Sequence, residues 1–235
     1  MRICFFSDIH GNTYAFQAFW KDLEKKGSLD LVIFGGDVFG YFYGANEIIT
    51  ELRKRKVHCL LGNHDRMFLD IVEGKRTADE LCGKYGSTYR GIERRISEEN
   101  ISFLSSLKSE YRMEADNTKM AFVHGSVADP LNGRIYPDTE VREEDCDGLD
   151  VIFMGHTHHK MLRSAGNCLL VNPGSVGQPR DGKGTSYVIY DTEKKECEFC
   201  VFPYDYSRLL ADIEVNEKGN EAMEEKLKEL VTRVR

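Results

Sequence analysis

Short apolar runs that end in a glycine and a polar side chain recur along this chain, and they limit its fold more than any other feature. The clearest is Leu31-Val32-Ile33-Phe34-Gly35-Gly36-Asp37, whose four apolar residues predict a strand buried on both faces. Similar runs end in Asp8-Ile9-His10, in Asn63-His64, in His124 and in His156-Thr157-His158. Ligands of open α/β sheets collect beyond the carboxyl ends of the strands, so these side chains stand where a functional site is expected.

The first two runs predict a βαβ unit. A strand at Ile3 to Ser7 precedes a helical pattern that lasts until Gly27, and the strand Leu31 to Phe34 follows. Such a unit makes the two strands parallel and brings their polar ends together. Asp8 and His10 are two residues apart, so on an extended backbone both side chains would point to one side.

The rest of the chain favours a single domain over residues 1–235. A helical insertion is expected at about residues 66–108, and a helical tail at about residues 207–235 that could pack on the body or on a second copy of the chain. The aromatic loop at residues 39–44 could roof the core or stack on a base or sugar. Both interpretations of this loop stay open at the level of sequence.

Composition limits the partners and the compartment. The net charge is −7, which speaks against a stable nucleic-acid partner because such proteins present a basic face. No apolar run approaches the roughly 18 residues of a membrane span, and the first residues enter a strand without a signal-peptide pattern. Seven scattered cysteines suit a reducing compartment, so we expect a cytoplasmic protein with no membrane association.

The polar residues at the strand ends have the character of metal ligands. Five of the seven histidines directly follow apolar strands. The candidate set is Asp8, His10, Asp37, Asn63, His64, His124, His156 and His158. Mixed imidazole and carboxylate ligands suit Mn, Fe, Zn, Co or Ni, and a set this large fits a pair of ions better than one. Two divalent ions offset only by Asp8 and Asp37 would leave a net charge of about +2, which attracts phosphate.

These motifs, in this order, resemble the signature of the calcineurin-like metallophosphoesterase superfamily. They are Asp8-x-His10, Gly36-Asp37, Gly62-Asn63-His64-Asp65, His124-Gly125 and Gly155-His156-x-His158. The loop Asn172-Pro173-Gly174-Ser175-Val176-Gly177 and Gly40-Tyr41 further resemble small bacterial and archaeal phosphodiesterases of the diadenosine-tetraphosphatase-like branch. The resemblance implies an α/β (α+β) fold, a four-layer αββα sandwich of two mixed β-sheets flanked by helices.

The resemblance also implies a role for each motif residue. Asp8, His10 and His158 would hold one divalent ion, and Asn63, His124 and His156 a second, with Asp37 bridging the two. Manganese is the first expectation, with Fe, Zn, Ni and Co as alternatives. A hydroxide shared by the ions would attack phosphorus in line, His64 would act as general acid, and Asp65 would orient His64.

The expected function is therefore a dinuclear-metal phosphodiesterase that acts on small phosphodiesters or nucleotides. A phosphomonoesterase or a Ser/Thr protein phosphatase could use the same metal site. A binding scaffold with a silent site is a third alternative, although every motif position is filled here. No residues for binding the rest of the substrate are identified from the sequence, and His159 is expected to be a surface residue.

Overall fold

The computed structural model describes residues 1–232, apart from the side chain of Glu93, and shows two five-stranded mixed sheets packed face to face. The strands are β1 (Arg2–Phe6), β2 (Leu31–Phe34), β3 (His58–Cys59), β4 (Glu110–Ala115), β5 (Thr118–Val123), β6 (Val151–Met154), β7 (Lys160–Ala165), β8 (Cys168–Pro173), β9 (Ser186–Asp191) and β10 (Glu196–Val201). The strand order is β10-β9-β1-β2-β3 in one sheet and β4-β5-β6-β8-β7 in the other. The predicted fold class is confirmed.

The helices lie outside the sheets. They are α1 (Thr13–Leu23), α2 (Ala45–Lys54), α3 (Asn63–Val72), α4 (Asp79–Tyr85), α5 (Glu98–Ser106), α6 (Ser207–Asn216) and α7 (Glu221–Thr232). Three of them, α3 to α5, fall in or next to the segment predicted as a helical insertion. The predicted tail contains α6 and α7, and its last three residues, 233–235, lie outside the described residues. None of the helices in residues 1–232 is long and apolar enough to cross a membrane.

The strand register brings the polar strand ends together. Strand β2 runs parallel to both β1 and β3, with Phe6 beside Phe34 and Phe34 beside Cys59. In the second sheet β5 runs parallel to β6, with Val123 beside Met154. The residues that follow these strands therefore emerge at one edge of the sandwich, as expected from the sequence.

Aromatic rings fill the space between the sheets. Phe5 of β1 lies 5.8 Å from Phe122 of β5 and 5.6 Å from Phe153 of β6, measured between ring centroids, and all three side chains are buried. Their burial stabilises the contact between the sheets by the hydrophobic effect and by aromatic packing. Because these rings precede the polar strand ends in the chain, their packing fixes the position of the strand ends that form the site.

The structure differs from the sequence expectation in two places. The apolar run from Val57 to Leu61 predicts a third strand over these residues, but β3 spans only His58–Cys59, because the chain leaves the sheet to begin α3 at Asn63. The rings of the aromatic loop are mostly core: Phe39 and Phe42 are fully buried, and Phe39 stacks on Phe68 with 4.1 Å between centroids. Phe39 and Phe42 therefore roof the core and are not available for stacking on a ligand.

Candidate metal centre

The structure brings the eight predicted site residues together at the edge where the strands end. Asp8 and His10 follow β1, Asp37 follows β2, Asn63 and His64 open α3, His124 follows β5, and His156 and His158 follow β6. All are buried, and the most exposed of them, His156, shows only 7% of its surface. Burying carboxylates and imidazoles costs free energy unless they are paired or hold a metal. The burial of all eight side chains therefore favours a metal-binding role for the cluster.

One half of the site is formed by Asp8, His10 and His158, whose potential ligand atoms all lie within 4.8 Å of one another. The Nε2 atoms of the two histidines are 3.0 Å apart, and Nε2 of His158 is 3.3 Å from Oδ1 of Asp8. These are the distances expected for side chains that surround a common point.

The other half is formed by Asp37, His124 and His156, which meet the same 4.8 Å criterion. Asn63 joins them, since its Oδ1 lies 3.0 Å from Nε2 of His124. Asp37 faces both halves: its Oδ2 is 3.4 Å from Nε2 of His124 and 3.8 Å from Nε2 of His10. Asp37 therefore lies between the two halves and is close to side chains of both.

Backbone carbonyls fix the orientation of three of these histidines. Nδ1 lies 2.6 Å from the Phe39 carbonyl in His10, 2.8 Å from the Gly35 carbonyl in His124 and 2.6 Å from the Gln178 carbonyl in His158. A carbonyl oxygen only accepts, so Nδ1 must carry the proton in each ring. When these rings are neutral, Nε2 has a free lone pair directed into the site, which is the arrangement typical of metal-bound histidine.

Buried atoms without partners show that the residues fit metal ions. Oδ1 of Asp8 and Nε2 of His156 are buried and make no hydrogen bond. The two Nε2 atoms of His10 and His158 face each other with no proton between them when both rings are neutral. An unpartnered buried carboxylate oxygen costs free energy, and a cation at this position would remove that cost in each case.

The backbone is strained at the same residues. Five of the predicted ligands have a positive φ: Asp8 (59°), His10 (50°), Asp37 (66°), His156 (64°) and His158 (60°). A non-glycine residue in this region costs about 1–3 kcal/mol, and such strain clusters at functional sites. Asp8 and His10 therefore converge through two left-handed turns, not along an extended strand as the sequence interpretation assumed.

Charge and burial perturb the pKa values across the site. Burial lowers the pKa of His64 and of His156 to about 4, so both rings are neutral at pH 7. Burial also acts to lower the pKa of His124, but the Asp37 and Asp8 carboxylates outweigh it and raise the value to about 9. Burial would raise the pKa of Asp37, yet its histidine neighbours hold it well below the ordinary value.

The neighbours of His64 differ from the expectation. Asp65 was expected to orient His64, but its carboxylate accepts hydrogen bonds from the backbone N–H groups of Asp37, Val38, Phe39 and Gly62. The Nδ1 of His64 instead lies 2.7 Å from the hydroxyl of the fully buried Tyr89. Sequence reasoning missed Tyr89 because it lies in the helical insertion, outside every recognisable motif.

Three further side chains border the half of the site formed by Asp8, His10 and His158. The Tyr41 ring lies 5.0 Å from the His10 ring and 5.6 Å from the His64 ring, measured between centroids. Arg180 donates one hydrogen bond to the Tyr41 hydroxyl and one to Oε1 of Gln178, each 3.0 Å long. His159 follows His158 in the chain, but its side chain has no recorded hydrogen bond or ring contact with the eight residues; its Nδ1 donates to the Thr157 carbonyl and its ring packs on Tyr136.

A two-sheet sandwich that carries buried Asp, Asn and His side chains at its strand ends defines a class of metal-dependent phosphoester hydrolases. The family model of the calcineurin-like phosphoesterase superfamily domain matches residues 1–195, and the chain belongs to this superfamily. Membership implies a metallophosphoesterase, a hydrolase that acts on phosphoesters.

Similar proteins cover nearly the whole chain. The uncharacterized protein MJ0912 of Methanocaldococcus jannaschii is 31% identical over 232 residues, which is 91% of this chain and 92% of that protein. The crystal structure of a metallophosphoesterase from Sphaerobacter thermophilus is similar with a TM-score of 0.75 and 25% identity, covering 97% of this chain and 98% of that one. Protein PH1004 of Pyrococcus horikoshii OT3 shares the fold, with a TM-score of 0.78, 18% identity, and 96% and 97% coverage.

Proposed function

We propose that this protein is a phosphodiesterase that hydrolyses small phosphodiesters or nucleotides with two divalent metal ions. The observation that supports this proposal most directly is a set of three overlapping three-residue clusters, of which Asp8–His10–His158 and Asp37–His124–His156 each contain a buried ligand atom without a partner and His10–Asp37–His64 lies between them. Two adjacent cation positions that share a carboxylate suit the displacement of one phosphate oxygen by another.

The two halves of the site would divide the ligands. Asp8, His10 and His158 would hold one ion, Asn63, His124 and His156 the other, and Asp37 would contact both. When bound, the ions supply positive charge for the phosphoryl oxygens and lower the pKa of bound water. We propose manganese first, because imidazole and carboxylate ligands suit it, with Fe, Zn, Ni and Co as alternatives.

His64 is the residue we propose as general acid. Its ring lies beside the metal ligands, 4.9 Å from the His10 ring between centroids, and its backbone N–H donates to Oδ1 of Asp37. The ring is neutral in the free site, and the negative charge of a bound phosphate would raise its pKa. Once protonated, the ring can give a proton to the leaving oxygen as the bond between that oxygen and phosphorus breaks. A general acid contributes about 10²- to 10⁴-fold to the rate.

The charges that face the reacting phosphate favour a diester. With two divalent ions, Asp8 and Asp37 leave a net charge of about +2, and no Arg or Lys in residues 1–232 has a recorded ion pair with Asp8 or Asp37. Arg180 borders the site, but its recorded hydrogen bonds go to Tyr41 and Gln178 and to none of the candidate ligands. A monoester presents two negative charges and exposed terminal oxygens, which active sites commonly hold with arginine, whereas a monoanionic diester needs no arginine next to the metal ions.

The test compares the hydrolysis of bis-p-nitrophenyl phosphate and p-nitrophenyl phosphate by the Mn²⁺-loaded protein. We expect the diester to have the higher kcat/KM. Exclusive cleavage of the monoester would make the protein a phosphomonoesterase, and no hydrolysis of either compound with any of the five metals would favour a binding scaffold.

His64→Ala tests the role of the general acid. We expect this variant to retain its metal and to lose about two to four orders of magnitude in turnover of phenyl esters, which need protonation of the leaving group. His159→Ala is the matched control, because His159 lies outside the site. Near-normal turnover by His64→Ala would remove His64 from this role.

A further inference from the structure

We propose that the loop following β8 controls the affinity of one of the two ion positions, and that Ser175 is the positioning residue in this loop. The position is the one formed by Asp8, His10 and His158. We call residues 174–178 the 174–178 loop. The inference rests on the proposed function, because it presupposes two bound divalent ions, and it deepens that function by making the two positions unequal. None of the loop residues is a candidate ligand.

The hydroxyl of Ser175 holds the backbone of Asp8. It donates to the carbonyl of Asp8 at 2.7 Å and accepts from the backbone N–H of Gln178, also at 2.7 Å. Ser175 is fully buried, so bulk water does not compete for either bond. Asp8 has a φ of 59°, a left-handed conformation that costs free energy in a residue with a side chain. The hydrogen bond to its carbonyl therefore helps to hold Asp8 in a conformation that this residue does not prefer.

The backbone of the 174–178 loop adds to this contact. The N–H of Val176 donates to the carbonyl of Ser7 at 3.1 Å, and the N–H of Gly177 donates to the carbonyl of Asp8 at 3.0 Å. A Cβ on Gly177 would lie 1.8 Å from the carbonyl oxygen of Ile9, so only glycine permits this close approach. The loop therefore packs directly on the segment that carries the first candidate ligands of the chain.

The same loop orients His158, which comes from the other sheet. The carbonyl of Gln178 accepts the Nδ1 proton of His158 at 2.6 Å. Asp8 follows β1 and His158 follows β6, and these strands belong to different sheets, so the loop joins two ligands that the sheets alone do not connect. Nε2 of His158 and Oδ1 of Asp8 are 3.3 Å apart. A shift of the loop would change this distance and weaken the ion held between them.

The other ion position has no such contact with the 174–178 loop. Its candidate ligands are Asn63, His124 and His156, and within residues 1–232 none of the three has a recorded hydrogen bond with the loop. The Nδ1 of His124 donates instead to the carbonyl of Gly35, which directly follows β2. Loss of a contact in the loop should therefore weaken one ion and spare the other.

The experiment titrates the metal-free protein with Mn²⁺ and measures free Mn²⁺ by electron paramagnetic resonance. The unaltered protein should bind two ions. Ser175→Ala should raise the dissociation constant of one ion by about 10- to 100-fold, as when a group that orients a metal ligand is lost, and change the other by less than about threefold. Two unchanged constants, or two constants raised equally, would refute the inference and leave the proposed function intact.

Two ligand variants show which ion position responds. His158→Ala removes a ligand from the position that the loop serves, so the ion that remains bound would lie at the other position, and adding Ser175→Ala should have little effect. Asn63→Ala removes a ligand from that other position. In this background Ser175→Ala should again weaken the remaining ion by about 10-fold or more. The reverse pattern would refute the assignment of the loop to the position of Asp8 and His158.

Ser186→Ala is the matched control. Ser186 is also fully buried, and its hydroxyl donates to the carbonyl of Pro173 at 2.6 Å, but within residues 1–232 it has no recorded hydrogen bond with a candidate ligand. We expect this variant to lower Tm as Ser175→Ala does and to leave both Mn²⁺ dissociation constants unchanged. An equal loss of Mn²⁺ affinity in Ser186→Ala would mean that Ser175 acts only through general stability, and it would overturn the inference.

Asn12→Ser tests the loop through a second residue. The Nδ2 of Asn12 donates to the carbonyl of Gly177 at 2.9 Å and to the Tyr204 hydroxyl, and its Oδ1 caps α1 by accepting from the N–H of Ala15. Serine is also a good cap but loses the bond to the loop, so we expect a loss of about 2- to 10-fold for the same ion. If Ser175→Ala does not fold, unchanged Mn²⁺ binding by Asn12→Ser refutes the inference.

These titrations separate the inference from the proposed function, because they do not depend on turnover. An unaltered protein that binds two ions but hydrolyses neither test ester would refute the proposed function alone. An unaltered protein that binds no Mn²⁺ would refute both.

Discussion

At the scale of single residues, the contact between Tyr89 and His64 is the feature that could least be predicted from the sequence. The candidate ligands could be predicted because each follows a strand within a short motif. The partner of His64 could not, because Tyr89 is 25 residues away in the chain and reaches His64 only through the packing of the insertion. The positive φ angles of the candidate ligands were equally hidden, because the general tendency of Asp and His towards this region does not mark individual positions.

Tyr89→Phe tests whether this contact positions the ring of His64. Removing one hydrogen bond should lower turnover of phenyl esters by about 2- to 10-fold and leave p-nitrophenyl esters nearly unchanged, because p-nitrophenolate leaves without a proton. Steady-state kinetics with both leaving groups is the measurement.

Tyr85→Phe is the matched control for that variant. The Tyr85 ring packs edge-on against His64 at 4.5 Å between centroids, and no hydrogen bond from its hydroxyl to His64 is recorded. Tyr85→Phe should leave the turnover of phenyl esters and of p-nitrophenyl esters unchanged. An equal loss for both leaving groups in Tyr89→Phe would show that Tyr89 acts only on the structure.

At the scale of elements, the carboxylate of Glu217 joins three segments that are far apart in the sequence. It lies at the end of α6 and is only 3% exposed. It accepts hydrogen bonds from the Tyr43 hydroxyl in the aromatic loop and from the N–H and hydroxyl of Ser87 in the insertion. We propose on this basis that insertion and tail belong to one domain with the body.

Glu217→Gln should therefore destabilise the whole protein. The amide keeps the shape but loses the charge and one acceptor, so we expect a loss of about 1–3 kcal/mol and a fall in Tm of about 2–12 °C. Glu225→Gln, at an exposed position inside α7, is the control and should leave Tm nearly unchanged. Thermal denaturation followed by circular dichroism measures both, and an unchanged Tm in Glu217→Gln would contradict the proposed role.

Among the elements, helices with clear caps and hairpins with polar turns could be predicted from local sequence. Ser97 caps α5, and the hairpin of β4 and β5 turns at Asp116 and Asn117, and these residue types favour a helix cap and a turn respectively. The third strand could not be delimited, because its apolar residues continue into a segment that leaves the sheet before α3. The length of this strand depends on tertiary packing, which local sequence patterns do not encode.

At the scale of the whole molecule, the sandwich places strained and unpartnered polar groups at one edge of an apolar core. Five left-handed residues and buried ligand atoms oppose folding, whereas a cation that binds only the folded state adds stability. The sequence predicted that the strand ends would meet, since parallel strands share an edge. The sequence did not reveal how much the stability of the fold depends on a cation bound at these strand ends.

Removal of metal should lower the stability of the entire domain. With free Mn²⁺ about 1,000-fold above its dissociation constant, one bound ion contributes about 4 kcal/mol, and we expect chelation to lower Tm by about 8–16 °C. Differential scanning calorimetry with and without chelator, followed by addition of Mn²⁺, makes the comparison. If neither chelator nor Mn²⁺ changes the Tm, the strand ends do not require a cation for stability.

The metal content of the purified protein tests the central claim most directly. Inductively coupled plasma mass spectrometry should find about two divalent ions per chain after loading with Mn²⁺ and desalting, and fewer than about one in Asp37→Asn, which loses the shared ligand. Asp138→Asn, an exposed control, should keep both ions. A protein that retains no ion, or an Asp37→Asn variant that retains both, would contradict a dinuclear centre built around Asp37.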